Sequence, residues 1–577
     1  MKPSPQILVL DAGGQYCHLI ARKVRDLGVY AEVRPSETPA AGLASARGII
    51  ISGGPSSVYD PGSPTADPAL FSQGQPVLGI CYGQQLMAHL LGGTVRKGDK
   101  GEYGLATLEV DAGGDLLFRG VSGEQQVWMS HRDTVIAVPA GFQVLGRTAT
   151  CAVAAMSAPE RRLYAVQFHP EVVHTSSGRD LLANFLFGVC GCERDWDPRR
   201  RLPMIEEEIR ESVGDRRVFF FVSGGVDSTV AFTLCLRTLG AERVRGVYVD
   251  TGLMREGETD YVHRMHGVAV EHAAAAFLDA LAGVTDPEQK RHIIGEEFVR
   301  IQERIIEARH LLEERWILGQ GTIYPDTIES GGTAKAAVIK THHNRVAGIQ
   351  RLIDEKRIVE PLKSFYKDEV REIGRELGLP ADLLERHPFP GPGLAIRCLC
   401  SEFDAPVRET AEGWIVPVHS VGVQGDSRSY APVLAIDALD HARATELINR
   451  LPGINRVIGP ATAEPVSCMR VSACSLTAAR IGRLRQADAV VRKFSHESGF
   501  DREVWQFPVV LIPLGVSGRP DSVVLRPVHS VDGMTAQSVM MPADLLARMT
   551  EALLRVDGVG GVFYDLTHKP PGTIEWE

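Results

Sequence analysis

Two glycine-rich turns, each set between a β-rich run and a helical pattern, constrain this chain most: VLGICYGQQLMAHLLGG (77–93) and FFFVSGGVDSTVAF (219–232). A strand that leads through a tight turn into a helix belongs to a parallel α/β layer, whose sites lie at the C-terminal strand ends. ILVLD (7–11), RGIIIS (47–52) and PVLGI (76–80) are further strands around the first turn, and the pattern from Tyr16 to Leu27 is a helix that stops at Gly28. Around the second turn lie VFFFV (218–222), a helix ending at Gly240, the strand VRGVYVD (244–250) and a charged helical stretch at 286–317, closed by HPFPGPG (387–393). Beyond 397 the chain is richer in strands, and a β-β-α-β order recurs at about 414–460 and 509–566. The expected class is α/β: two doubly wound, mostly parallel-sheet domains at 1–193 and 194–396, with CGCERDWDPRRR (190–201) as the connection. An α+β C-terminal region with a β-β-α-β duplication occupies 397–577.

In the first turn, Cys81 stands at an elbow with Gly79 and Gly83 two residues to either side. Small flanking residues permit the sharp bend, and the following helix N-terminus favours a thiolate. A thiol nucleophile needs a base, and a base needs a group that orients its other nitrogen. LYAVQFHPEV (163–172) ends a strand with His169 and, two residues on, Glu171. The SGGP turn (52–55) offers backbone N–H groups to an oxyanion. The segments ISGGP, GICYGQQ, MSHRD (129–133) and FHPE resemble the class I (triad-type) glutamine amidotransferases over residues 7–190. That resemblance implies that Cys81 attacks the glutamine carboxamide, His169 moves the proton and Glu171 orients His169. It implies oxyanion donors at Gly53 and Tyr82, and a glutamine subsite at Gln85, Ser130 and His131. Arg132 departs from the glycine usual there in the family.

SGGVDS (223–228) can present backbone N–H and hydroxyl groups to phosphate oxygens at a helix N-terminus. It lacks GxxxxGK[ST], so a P-loop NTPase is excluded. The full segment resembles the pyrophosphate loop of the ATP pyrophosphatases, which cleave ATP to AMP and pyrophosphate. The resemblance implies ATP contacts from Ser223, Gly224, Gly225, Val226, Asp227, Ser228, Val249 and Lys367, with Mg²⁺ accompanying ATP at Asp227. GQGTIYPDTIES (319–330), IKTHHN (339–344), EPLKSFYKDEVREIG (360–374) and RHPFPGPGLAIR (386–397) narrow the resemblance to the glutamine-hydrolysing GMP synthetase family. The terminal segment HKPPGTIEWE agrees with that family. By this resemblance Lys340, Asp426, Arg428, Gln486, Lys569, Thr573, Ile574 and Glu575 form the XMP site. Tyr324 departs from the arginine of the longer members. The implied chemistry is adenylylation of XMP by ATP and displacement of AMP by ammonia from glutamine. Another glutamine-dependent ATP pyrophosphatase, such as an NAD synthetase, and a non-catalytic homologue remain as alternatives. A C-terminal unit of this kind dimerises shorter members, so two copies in one chain lead us to expect a monomer.

Composition enters by exclusion. Lys+Arg 62 against Asp+Glu 72 gives −10, which argues against a nucleic-acid coat or an anionic-membrane binder. The start MKPSPQILVLD lacks a long apolar segment, so a cytoplasmic chain with no membrane partner is expected. Ten Cys in 577 residues are too sparse for a disulfide scaffold, and the C-x-C pairs at Cys190/Cys192 and Cys398/Cys400 lack second ligand pairs at zinc spacing.

Overall fold

The computed structural model describes residues 4–14, 16–97, 102–111, 114–172, 174–324, 326, 347–424, 427–451, 453–462, 464–530, 536–569 and 571–577. The chain divides into two compact units, 1–201 and 202–577.

In the first unit, β1 (Ile7–Asp11) leads to α1 (Cys17–Asp26), β2 (Ala31–Pro35), β3 (Gly48–Ile51) and β4 (Val77–Ile80), and then α2 (Tyr82–Leu90). The chain continues through β5 (Glu102–Val110), β6 (Gly123–His131), β7 (Gln143–Arg147), β8 (Ala155–Ala158) and β9 (Leu163–Val166). They form one nine-stranded sheet in the order β2-β1-β3-β4-β9-β8-β7-β5-β6. The strands from β2 to β9 in that order are parallel, and the remaining pairings are antiparallel. Strands β3, β4 and β9 are buried at every position, as a sheet covered on both faces requires. The C-terminal ends of β4 and β9 lie side by side, with Ile80 opposite Val166. Residues just beyond both strands therefore meet.

The second unit opens on an all-parallel sheet of β10 (Arg217–Phe221), β11 (Val244–Asp250), β12 (Val268–His272), β13 (Trp316–Gly319) and β14 (Ile358–Val359). Its order is β12-β11-β10-β13-β14, so the chain reverses direction across the sheet at β10. The turn after β10 enters α3 (Val226–Leu239) at that switch point, where α/β sheets bind ligands. Of the stretch expected to be helical at 286–317, residues 287–308 form α4 (Pro287–Ala308), capped by Asp286, and its end becomes β13. Helix α5 (Lys367–Glu376) follows β14.

A seven-stranded sheet completes this unit. Its strands are β15 (Arg408–Thr410), β16 (Gly413–Gln424), β17 (Ser427–Ala435), β18 (Val457–Pro460), β19 (Val509–Ile512), β20 (Asp521–Leu525) and β21 (Val559–Asp565). Helices α6 (His441–Arg450), α7 (Ala478–Ser498) and α8 (Ala543–Leu553) intervene. In the order β15-β16-β17-β18-β21-β20-β19, the strands other than the edge strand β15 are arranged symmetrically about the β18/β21 seam. On either side of the seam an antiparallel pair is followed by a parallel partner, and β18 and β21 pair antiparallel. The boundary expected after residue 396 falls inside a buried 3-10 turn, Gly393–Arg397. One apolar cluster runs across it, joining Phe219, Val247 and Leu318 to Val509, Val523 and Tyr564.

Candidate functional site

Cys81 follows β4 directly and is the residue before α2, with φ +54° and ψ −106°. A non-glycine residue in so sparsely populated a conformation costs about 1–3 kcal/mol, which the surrounding structure must impose. The flanking glycines allow it. A Cβ on Gly79 would lie 2.6 Å from the Gly83 carbonyl oxygen, and one on Gly83 would strike the Ile51 carbonyl. Cys81 Sγ lies 3.6 Å from the Ser130 carbonyl oxygen. The Tyr82 N–H, first in α2, has no acceptor within the helix.

His169 lies just beyond β9, held by its N–H on the Trp128 carbonyl and by the Thr175 hydroxyl, which donates to the His169 carbonyl at 2.6 Å. Its Nδ1 donates to Glu171 Oε1 at 2.6 Å, so Nε2 is the nitrogen left for the thiol. Both side chains are buried. Burial opposes a charged ring, but Glu171 and Cys81 outweigh it, and His169 titrates well above the ordinary imidazole value. A Cβ on Gly53 would lie 3.0 Å from His169 Cε1 and 3.4 Å from Cys81 Cβ, so this backbone borders both side chains. The Tyr16 ring stands edge-on to the His169 ring, with centroids 5.2 Å apart.

Residues expected to hold glutamine are engaged with the chain itself. Gln85 is buried, and its Nε2 donates to the Asp133 carbonyl at 2.7 Å. His131 Nδ1 is 3.0 Å from the same carbonyl, and its Nε2 is 3.2 Å from Glu102 Oε2. These contacts fix the C-terminal end of β6, which carries Ser130. Burial tends to raise the Glu102 carboxyl, but hydrogen bonds from His131 and Thr148 hold it below the usual carboxylate range. Glu102 was not anticipated from sequence; its only signal is its register position opposite His131. Arg132 is exposed.

In the second unit, Ser223 and Ser228 hydroxyls lie 2.8 Å apart, and the Gly225 N–H donates to Ser223 Oγ at 3.2 Å. Gly224 has φ +74°, and its carbonyl accepts from Arg386, which is also paired with Glu258. A Cβ on Gly321 would lie 2.8 Å from Ser228 Cα, so the turn after β13 closes over the start of α3, where Val226 is buried. Lys367, the first residue of α5, donates to Asp227 Oδ2 at 2.5 Å. Among the described residues Asp227 Oδ1 is buried with no hydrogen-bond partner. That orphaned carboxylate oxygen at a phosphate-type turn suits a hard divalent cation. Among the described residues no cluster of three His, Cys, Asp or Glu forms a closed metal cage, so such a cation would share its shell with phosphate oxygens. Val249 is buried near the end of β11.

Lys340, Asp426 and the IKTHHN segment lie outside the described residues, and for Arg428 only its place in β17 is described. Gln486 is exposed on α7, and among the described residues no hydrogen bond joins it to the C-terminal segment. That segment is tightly held. Lys569 exchanges backbone hydrogen bonds with Ala536. Thr573 donates its hydroxyl to the Val421 carbonyl at 3.0 Å, and the Ile574 carbonyl accepts from Arg526 at 3.0 Å. Trp576 is buried completely, and its Nε1 donates to Asp565 at 2.9 Å. The buried cations beneath it, Arg397, Arg456, Arg526 and Lys290, were not anticipated from sequence. For the three arginines the one signal was a charge inside an apolar run, as in GINRVIG (453–459).

The family model for glutamine amidotransferase class-I matches residues 8–189, and the model for the GMP synthase C terminal domain matches 493–576. A protein named GMP synthase (glutamine-hydrolyzing) from Syntrophomonas wolfei is 42% identical over 588 residues, covering 99% of each chain. One of the same name from a Parafrankia strain is 43% identical over 593 residues, covering 99% of this chain and 96% of the relative. A solved glutamine amidotransferase from Thermotoga maritima shares 16% identity over 32% of this chain and 97% of its own, at a TM-score of 0.26. Two domain matches in chain order, and identities above 40% from end to end, show that the chain belongs to the glutamine-hydrolysing GMP synthase family.

Proposed function

We propose that this chain converts XMP to GMP with glutamine as nitrogen donor and ATP as activator. ATP adenylylates the C2 oxygen of XMP and releases pyrophosphate, which makes that oxygen part of a good leaving group, AMP. Cys81 attacks the glutamine carboxamide while His169 accepts the thiol proton and returns it to the departing ammonia. Water then cleaves the thioester to give glutamate. Ammonia adds at C2, AMP leaves, and GMP is formed. The Gly53 and Tyr82 N–H groups face the oxyanion, and the end of β6 bearing Ser130 and His131, beside Gln85, receives the glutamine.

The observation that carries this reading is the buried Cys81, His169 and Glu171 set, in one chain with a phosphate-type turn at a sheet switch point. Ser223, Gly224, Gly225, Val226, Asp227 and Ser228 would receive the triphosphate, with Lys367 beside them and Val249 nearby. Asp227 Oδ1 would hold Mg²⁺, which when bound offsets phosphate charge. Lys569, Thr573, Ile574 and Glu575, with Lys340, Asp426, Arg428 and Gln486, make the XMP set. An ATP-dependent assay offering either XMP or deamido-NAD tests the reading. Stoichiometric GMP, AMP, pyrophosphate and glutamate is expected, and product from deamido-NAD alone would overturn it.

Glu171→Gln keeps the side-chain shape but removes the charge that sustains His169. Glutamine-dependent synthesis should fall by at least about 10²-fold, with ammonium-dependent synthesis unchanged. Free ammonia is largely protonated at neutral pH, so hydrolysis without acceptance would waste glutamine. Glutaminase activity should therefore be low until XMP and ATP are both present, and equal rates with and without them would refute the coupling.

The seven-stranded sheet supports a monomer, because its two β-β-α-β units pair with each other across the β18/β21 seam within one chain. Light scattering should give the chain mass of 62.8 kDa, and a concentration-independent value of twice that would exclude a monomer. The partners proposed are XMP, ATP and glutamine, and the place of action proposed is the cytoplasm. No described helix is long and apolar enough to cross a membrane.

A further inference from the structure

Glu575 and Arg397 form a two-pronged ion pair, with Arg397 Nε and Nη2 donating to the two carboxylate oxygens at 2.8 and 2.6 Å. The pair is lopsided in a telling way. The Arg397 side chain is 1% exposed, whereas that of Glu575 is 20% exposed. The guanidinium lies behind the carboxylate, which turns one side outward. Neighbouring groups of the same segment turn inward. The Thr573 hydroxyl goes to Val421, the Thr573 carbonyl accepts from Arg456 and Arg526, and the Ile574 carbonyl accepts from Arg526. Of the charged and polar side chains in 573–576, Glu575 alone presents open acceptor capacity.

Arg397 is itself braced. It ends the buried turn Gly393–Arg397, and its guanidinium carbon sits 5.2 Å from the centre of the Phe389 ring. Arg255 rests on that ring at 4.3 Å and pairs with Asp488 of α7 at 3.4 Å. Among the described residues Arg397 Nη1 is buried without a hydrogen-bond partner. A cation so desolvated, with one donor unused, is not arranged to maximise its own hydrogen bonding. Its geometry instead fixes the plane of one carboxylate.

We infer that Arg397 is a positioning residue for the nucleotide substrate: it holds the Glu575 carboxylate in one plane, so that the free lone pairs accept hydrogen bonds from the donors of XMP. The inference rests on the reading given under the proposed function. Each carboxylate oxygen has two lone-pair sites, of which the guanidinium takes one, so two remain for ligand O–H or N–H groups. Arg397 does not reach the ligand. Its effect passes wholly through Glu575, and a lysine, lacking the planar fork, cannot reproduce it.

The test is steady-state kinetics with ammonium as nitrogen source, which leaves the first unit out of the measurement. Arg397→Lys should raise the KM for XMP by about tenfold or more, with kcat at saturating XMP within about threefold and the KM for ATP within about twofold. Glu575→Gln should raise the XMP KM at least as much. The double variant should match Glu575→Gln within about twofold, because Arg397 acts through that carboxylate. An unchanged XMP KM, multiplying effects in the double variant, or equal rises in the ATP and XMP KM values would overturn the inference. Should Arg397→Lys lose its cooperative melt, Phe389→Leu removes the brace and keeps both charges. It should shift the XMP KM in the same selective way, and an unselective or absent shift would count against the inference. A parent protein that makes no GMP from XMP, ATP and ammonium would instead refute the proposed function.

Discussion

Cys81→Ala should lower glutamine-dependent GMP formation by at least about 10⁴-fold and leave ammonium-dependent formation within about twofold of the parent. The asymmetry follows from what the substitution removes. Sγ is the only atom lost, and it is the one that faces the Ser130 carbonyl and His169. Alanine and cysteine bear the same Cβ, so φ +54° is no harder for one than for the other. The glycines at 79 and 83 still permit the elbow. The first unit should therefore keep its fold while losing its nucleophile, and the phosphate turn at 223–228 belongs to the other compact unit. The measurement is GMP release with glutamine or with an ammonium salt at mildly alkaline pH, where more of the nitrogen is free ammonia. Parallel loss of both activities would show that Cys81 serves more than glutamine hydrolysis. Retention of the glutamine-dependent rate would remove it from the mechanism.

The elbow and the phosphate turn were legible because their causes are local. Gly79, Cys81 and Gly83 sit within five residues, and each glycine is explained by one carbonyl that a side chain would strike. The strands ILVLD and VLGI are continuous apolar runs that match sheet positions buried on both faces. Strands β5 and β6 were not anticipated, because their alternation is weak: Leu105 of β5 is 56% exposed. The antiparallel half of the first sheet thus follows from pairing rather than from pattern. The division expected after residue 396 follows a Pro/Gly cluster, and Leu394, Ala395 and Ile396 beside it are buried in the protein interior, a burial that the cluster alone does not reveal. The anchoring of the C-terminal segment was out of reach for a third reason. Arg397 and Glu575 are 178 positions apart, and Arg456 and Asp565 are 109 apart. No periodicity links charges at such separations; only the fold brings them together.

Asp565→Asn should be strongly destabilising, by about 3–5 kcal/mol, because it leaves two buried cations without their counter-charge. Asp565, Arg456 and Arg526 side chains are each fully buried. Asp565 Oδ2 takes Arg456 Nη1 at 2.6 Å, Arg526 Nη1 at 2.8 Å and Trp576 Nε1 at 2.9 Å, while Oδ1 accepts the Thr567 N–H at 3.0 Å. Burial tends to raise the Asp565 carboxyl, but Arg526 and Arg456 outweigh it and hold it below the usual carboxylate range. Even with that partner, burial pushes Arg456 down to about 10. Asparagine keeps the shape and one acceptor oxygen yet cancels none of the positive charge, so both guanidiniums stay desolvated and repel each other. The expected readout is a fall of roughly 4–6 °C in the melting temperature of the second unit. The pH dependence gives an independent check. A carboxyl depressed by folding contributes stability above its unfolded value of about 3.9, and that contribution is lost as pH falls through the lower folded value. The parent should show this acid limb below about pH 4, and Asp565→Asn should have lost the same increment already at neutral pH. Equal stabilities of the two proteins at neutral pH would mean that the cations find other partners. Replacing Asp565, Arg456 and Arg526 together by apolar residues of similar volume should recover most of the loss, since no charge then remains to be desolvated.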